Sequence, residues 1–165
     1  MDIKKEKDFF RLCDCNGFSK DESRKTRIQE MINNKEVDVN FELPRQNFNA
    51  LEYFFFTYNA NNEETRRKMQ EEISIEDINF VLDVFLDNNI DPNHELLSGK
   101  DALFFAVLGL YWNTDYWSVL KKMIDYGYNP YRETEDGVNT ISILESKGEK
   151  ELKSKLEEWY GNTNR

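Results

Sequence analysis

Apolar residues along this chain recur at helical spacing, in short runs separated by polar turns. Val81, Leu82, Phe85 and Leu86 fall at i, i+1, i+4 and i+5, one stripe of a helix. Asn88-Asn89 offers that helix an end, because Asn tolerates the left-handed conformation better than most residues. Asp91-Pro92-Asn93 then makes a turn, with Pro fixing its own φ and the polar side chains bonding nearby backbone. An extended finger follows and closes at Gly99. The next helix begins at about Asp101, with Ala102, Leu103, Ala106 and Leu110 on one face.

The frame occurs twice more, in Val119–Leu144 at a shift of about 38 residues and in Met31–Phe55 at a shift of about 52. Between and beyond these copies the pattern predicts further helices. Residues 4–15 form a short one, with Phe9, Phe10 and Leu12 on its apolar side. Ser19 and Glu22 make a capping box for a helix reaching about Asn33, with Ile28, Met31 and Ile32 inward. Residues 37–49 are the first finger. Ala50 to Tyr58 is a helix so dense in aromatics that it must be buried on most sides. Residues 59–72, NANNEETRRKMQEE, are a charged insertion with a helical turn or two from about Glu63. Ser74 caps the next helix, with Asp77 as the imperfect partner of that box. Thr114 caps a helix that buries Trp117, Leu120, Met123 and Ile124 and stops at Gly127. Residues 129–137 form the third finger. The last pair, 139–146 and 149–160, hinges at Gly148, and GNTNR is a frayed tail.

These stretches resemble the ankyrin repeat, whose inner helix opens on Gly, a small polar residue, Pro, Leu and His. Here the frame reads Gly99-Lys100-Asp101-Ala102-Leu103, Gly137-Val138-Asn139-Thr140-Ile141 and Asn47-Phe48-Asn49-Ala50-Leu51. The outer-helix endings read Asp87-Asn88-Asn89-Ile90-Asp91 and Asp125-Tyr126-Gly127-Tyr128-Asn129. No copy keeps both the Pro and the His. The resemblance covers roughly residues 24–160, with copies longer than the family's usual length of about 33. It implies an all-α fold, a short ankyrin-like stack of helix pairs with extended finger loops, an α-solenoid. Residues 1–165 would be a single domain. Within it, 1–36 are N-terminal cap helices, 37–128 two central repeats with the 59–72 insertion, and 129–165 a C-terminal capping repeat.

Composition agrees with a folded chain: 165 residues, 39% hydrophobic, 14% aromatic, three prolines and seven glycines. The net charge of −10 is opposite to a nucleic-acid footprint and suits a basic partner or simple solubility. No apolar run of about 18 residues exists, so no membrane span is expected. The N-terminus lacks the apolar segment of a secretory signal. Cys13 and Cys15 are the two cysteines, and a reducing cytoplasm fits them.

No catalytic motif emerges. His94 is the single histidine, in the middle finger without a matched nucleophile, and reads as a surface residue. Cys13-Asp14-Cys15 falls short of the four ligands of a closed metal site. The 32 acidic residues make carboxylate pairs by chance. No cofactor or metal is therefore expected, and the chain reads as a non-enzyme.

What remains is recognition. The family's contact positions, carried over, are Arg45, Gln46, Phe48, Phe56 and Thr57 in the first copy. The second contributes Leu97, Ser98, Lys100 and Leu108, beside His94. The third contributes Glu135, Asp136, Val138, Ser146 and Lys147, beside Arg132 and Glu133. Glu133, Glu135 and Asp136 make that finger acidic, which suits a cationic partner or a solvated tip equally. Phe56 and Leu108 fit either the groove or the core. The expected function is a protein-protein interaction module, favoured as a monomer. Small size and acidity extend that to a bacterial immunity protein neutralising a basic toxin, or to a viral or bacterial effector scaffold. The alternatives are an enzyme or regulatory subunit with a pocket hidden from sequence, and an oligomer-forming structural domain.

Overall fold

The computed structural model describes residues 2–58, 64, 67–68 and 73–165. Eight α-helices occur among them and no strand. They are α1 (Ile3–Leu12), α2 (Glu22–Asn33), α3 (Ala50–Tyr58) and α4 (Ile75–Asp87), then α5 (Ala102–Leu110), α6 (Trp117–Tyr126), α7 (Thr140–Ser146) and α8 (Lys150–Thr163). The fold is all-α. None of these helices is long and apolar enough to cross a membrane. The 59–72 insertion lies outside the described residues except for Glu64, Arg67 and Lys68, which are helical.

The chain divides into two compact units, Met1–Asp91 and Pro92–Arg165. In the first, α1 packs on α2 and α3, and α3 packs on α4. Its core is aromatic. Phe9 meets Phe85 edge-on at 6.0 Å, and Phe18 meets Phe54 at 5.9 Å. All four rings are fully buried, and each such side chain stabilises the fold by about 1.5–3 kcal/mol relative to exposure. In the second unit α5 packs on α6 and α7, while α8 packs on both α6 and α7. The α5 sequence, ALFFAVLGL, carries no charge, and every residue but Leu108 is buried. A helix apolar all round has no face to give to water.

Four details depart from the sequence pattern. The first helix ends at Leu12, where Cys13 closes it. The α2 cap is Asp21, whose carboxylate accepts the Ser23 N–H at 3.1 Å. Ser19 sits in a 3-10 turn and does not cap α2. The third is Asn113, not Thr114, as the residue that caps the turn leading into α6, because its side chain accepts the Asp115 N–H at 3.0 Å. Lastly, GNT continues α8 to Thr163, whose hydroxyl bonds the Asp125 carboxylate at 3.3 Å.

Ser19 has a longer-range role. Its hydroxyl donates to the Asp77 carboxylate and accepts the Ser74 N–H at 3.2 Å. Lys25 of α2 pairs with the same carboxylate. Ser74 still caps α4, accepting the Asp77 N–H at 3.1 Å. Burial pushes the Asp77 carboxyl up, but Lys25, Ser19 and Ser74 outweigh it and hold the group below the ordinary Asp value. The bond to Asp77 in turn raises Lys25. A carboxyl held down in the folded state stabilises the protein above its unfolded pKa, and that contribution is lost as pH falls through the folded value. Asp77→Asn is expected to cost about 2 kcal/mol at neutral pH. It should also flatten the acid limb of the stability profile, read by urea unfolding across the acid range.

Candidate functional site

Three finger turns close in the same way. The Leu96 N–H donates to the Lys100 carbonyl at 2.8 Å, the Thr134 N–H to the Val138 carbonyl at 2.7 Å, and the Leu43 N–H to the Phe48 carbonyl at 2.9 Å. Such tight returns need a left-handed residue just before the closing one. Gly99 (φ 78°), Gly137 (φ 72°) and Asn47 (φ 56°) supply it. Two residues further on stands the cap of the following helix. Asp101 accepts the Phe104 N–H at 2.9 Å, Asn139 the Ser142 N–H at 2.8 Å, and Asn49 the Glu52 N–H at 2.9 Å. Glu52 and Ser142 bond back to their caps, completing capping boxes.

In the Pro92–Arg165 unit the second and third fingers touch. The Glu135 N–H donates to the Ser98 carbonyl at 2.9 Å. Gly99 runs so close to the neighbouring finger that a Cβ there would lie 2.8 Å from the Thr134 Cα and 3.2 Å from the Glu133 carbonyl oxygen. Arg132 ties the bases of the two fingers together. Its guanidinium donates to the Asn93 carbonyl at 2.7 Å and to the Asn93 Oδ1 at 2.9 Å, and lies 3.6 Å from Glu95 and 4.0 Å from Asp101. Arg132, expected on the contact face, is half-buried and serves as a strut between the two fingers.

The outward side of these two fingers is acidic with an apolar point. Leu97 is 84% exposed at the tip of the second finger. Glu133, Glu135 and Asp136 are exposed on the third, and Val138 is marginally so. His94, Ser98 and Lys100 are half-buried, the Lys100 ammonium 5.6 Å above the Phe104 ring. Leu108 is half-buried on α5, and Lys147 stands 5.0 Å from the Tyr111 ring.

In the Met1–Asp91 unit Arg45 and Gln46 are exposed at the first finger's tip. Phe56 is 47% exposed, so it is a surface residue of α3 and not a core one. Phe48 is the reverse. It is only 7% exposed and packs its ring 4.9 Å from Phe56 and 6.2 Å from Tyr53. Following the left-handed Asn47, its side chain turns inward, so it offers little surface at the expected contact face. Thr57 is half-buried and internally engaged, accepting the Cys15 N–H at 3.3 Å and donating to the Phe54 carbonyl at 2.9 Å.

Sequence reasoning missed Asn93 and Asp101 as partners of Arg132, since loop charges look alike whether solvated or paired. It also missed Tyr131, 44% exposed and edge-on to Tyr160 at 5.5 Å. Among the described residues no group of three or more His, Cys, Asp and Glu side chains is placed to hold a metal ion. Cys13 and Cys15 are buried and not joined in a disulfide, and desolvation pushes the Cys13 thiol far up, which disfavours its thiolate. No model of a known protein family matches the chain, and a search of curated proteins finds no match either.

The two finger glycines separate close approach from backbone conformation. Both are left-handed, but a Cβ on Gly137 meets nothing within 4 Å. Gly137→Ala is expected to cost about 1 kcal/mol from conformation alone. Gly99→Ala must also push the third finger away and is expected to cost about 3 kcal/mol. Urea unfolding of the two variants measures the difference.

Proposed function

We propose that this chain is a non-enzymatic protein-binding module, a short stack of helix pairs of ankyrin type, and that the second and third fingers hold a basic protein partner. The observation that carries this reading is the setting of Leu97. A large apolar side chain at 84% exposure stands on a finger whose backbone is bonded to its neighbour, beside three exposed carboxylates. An apolar side chain on a supported turn, rimmed by charge, fits the apolar centre and polar rim of a protein interface. The acidic rim would steer a cationic partner, and the net charge of −10 adds to the long-range attraction. A basic toxin neutralised by an acidic immunity protein is one pair of this kind.

The test is retention of a basic partner by the tagged protein at low and moderate salt, followed by kinetics on the captured pair. Charge reversal of Glu133, Glu135 and Asp136 to Lys is expected to slow association by about 10-fold or more and to flatten its salt dependence. Leu97→Ala is expected to speed dissociation with little change in the on-rate. An unchanged on-rate in the reversed variant would remove the third finger from the interface.

A further inference from the structure

The first finger differs from the other two by one residue. Its closing bond spans Leu43 to Phe48, where the others span Leu96 to Lys100 and Thr134 to Val138. The added length places Arg45 in the left-handed region, at φ 76°, where an Arg is strained and a Gly would not be. Strain kept at an exposed tip points to a use for that side chain.

Arg45 lines a groove of about 760 Å³ between α1 and the first finger. That volume lies within the range of about 300–1,000 Å³ usual for small-molecule sites. Lys7 and Arg11, one turn apart on α1, face it with Arg45 and Gln46. Phe10, Leu43 and Tyr53 give it an apolar lining, with Phe10 and Tyr53 edge-on at 5.7 Å. Among the described residues no acidic side chain lines it, in a chain with ten more acids than bases. Of the nearby carboxylates, Asp8 already pairs with Arg11 at 3.1 Å from outside the groove lining, an exposed pair that an incoming anion has to compete with, while Asp14 accepts from Asn16 at 2.7 and 2.9 Å and Glu42 accepts from Asn47 at 3.2 Å. Burial, with Asp14 adding to it, pushes the Tyr53 phenol above its ordinary value, so it remains a neutral O–H donor.

We infer that the groove between α1 and the first finger is a binding site for a small organic anion, one carrying a phosphate or paired carboxylates on an aromatic or other apolar body. Lys7, Arg11 and Arg45 would hold the charge, Arg by two-point hydrogen bonding and Lys as a point charge. Phe10, Leu43 and Tyr53 would take the apolar part. The site is independent of the acidic fingers, so either assignment can fail without the other.

Backbone amide shifts in the full-length protein, titrated with phenyl phosphate, phthalate and benzyl alcohol, test this. The two anions are expected to shift amides around Lys7, Arg11 and Gln46 saturably, more weakly as salt rises, while benzyl alcohol does not. The tighter anion distinguishes a phosphate from a carboxylate source. Arg45→Gly keeps the left-handed turn and Lys7→Gln sits on an exposed helix face, so both variants should fold. Each is expected to weaken anion binding by about 10-fold. Equal shifts with benzyl alcohol, shifts mapping elsewhere, or unchanged affinity in both variants would overturn the assignment.

Discussion

A finger closed by a main-chain hydrogen bond across its own turn forces one residue into the left-handed region. Asn47, Gly99 and Gly137 hold that place, and much of the remaining geometry follows from it. The residue after each one closes the turn. The next residue, Asn49, Asp101 or Asn139, is extended or polar enough to cap the helix that follows. Turn, closure and cap are thus fused within three consecutive residues. The point at which each following helix leaves its finger is thus set locally, by the turn's backbone conformation and the cap's hydrogen bond.

The caps also explain polar residues inside an otherwise apolar interior. Asn49, Glu52 and Asp101 are buried, yet each satisfies first-turn amides that would be left without acceptors. Losing one such cap costs about 1 kcal/mol, small beside the core but decisive for where a helix begins. Starting α5 at Ala102 puts every residue but Leu108 out of solvent. A start one residue later would leave the Phe104 N–H without the Asp101 carboxylate that accepts it inside the buried interior. Burial and capping therefore select the same register, the agreement between levels expected of a well-specified fold.

Most of this was legible in the sequence because it is local. The stripes of α3, α4 and α5, the stop at Gly127 and the glycines closing the second and third fingers rest on neighbours a few residues apart. The failures are where a distant group competes for a local donor or acceptor. Ser19 has the pattern of a cap, but Asp77 and Ser74 claim its hydroxyl from 58 and 55 residues away. Thr114 lost to its neighbour Asn113, an equally good cap, and no pattern rule ranks the two. The tail has no apolar stripe, yet Thr163 reaches Asp125 across the unit. Among the residues expected to make contacts, the acidic third finger and Leu97 were legible as exposed turn positions. Phe48 and Arg132 were not, since one is turned inward by the left-handed residue before it and the other is consumed by Asn93.

The way the second and third fingers are held bears on the proposed interface. An isolated loop must be ordered on association, and each immobilised flexible side chain adds about 0.5–1.5 kcal/mol of cost. Here the backbone is already held by the Ser98–Glu135 bond and by Arg132 on Asn93, so only the side chains at the tip remain to be fixed. The first finger uses the same closure with one residue more, and the result is a wall of a groove lined by cations. One chain with an overall acidic balance therefore presents an anionic rim and a cationic groove on variants of a single turn. Net charge alone averages the two away, and it is the side chains each finger carries, with Lys7 and Arg11 of α1 beside the first, that set the sign of each surface.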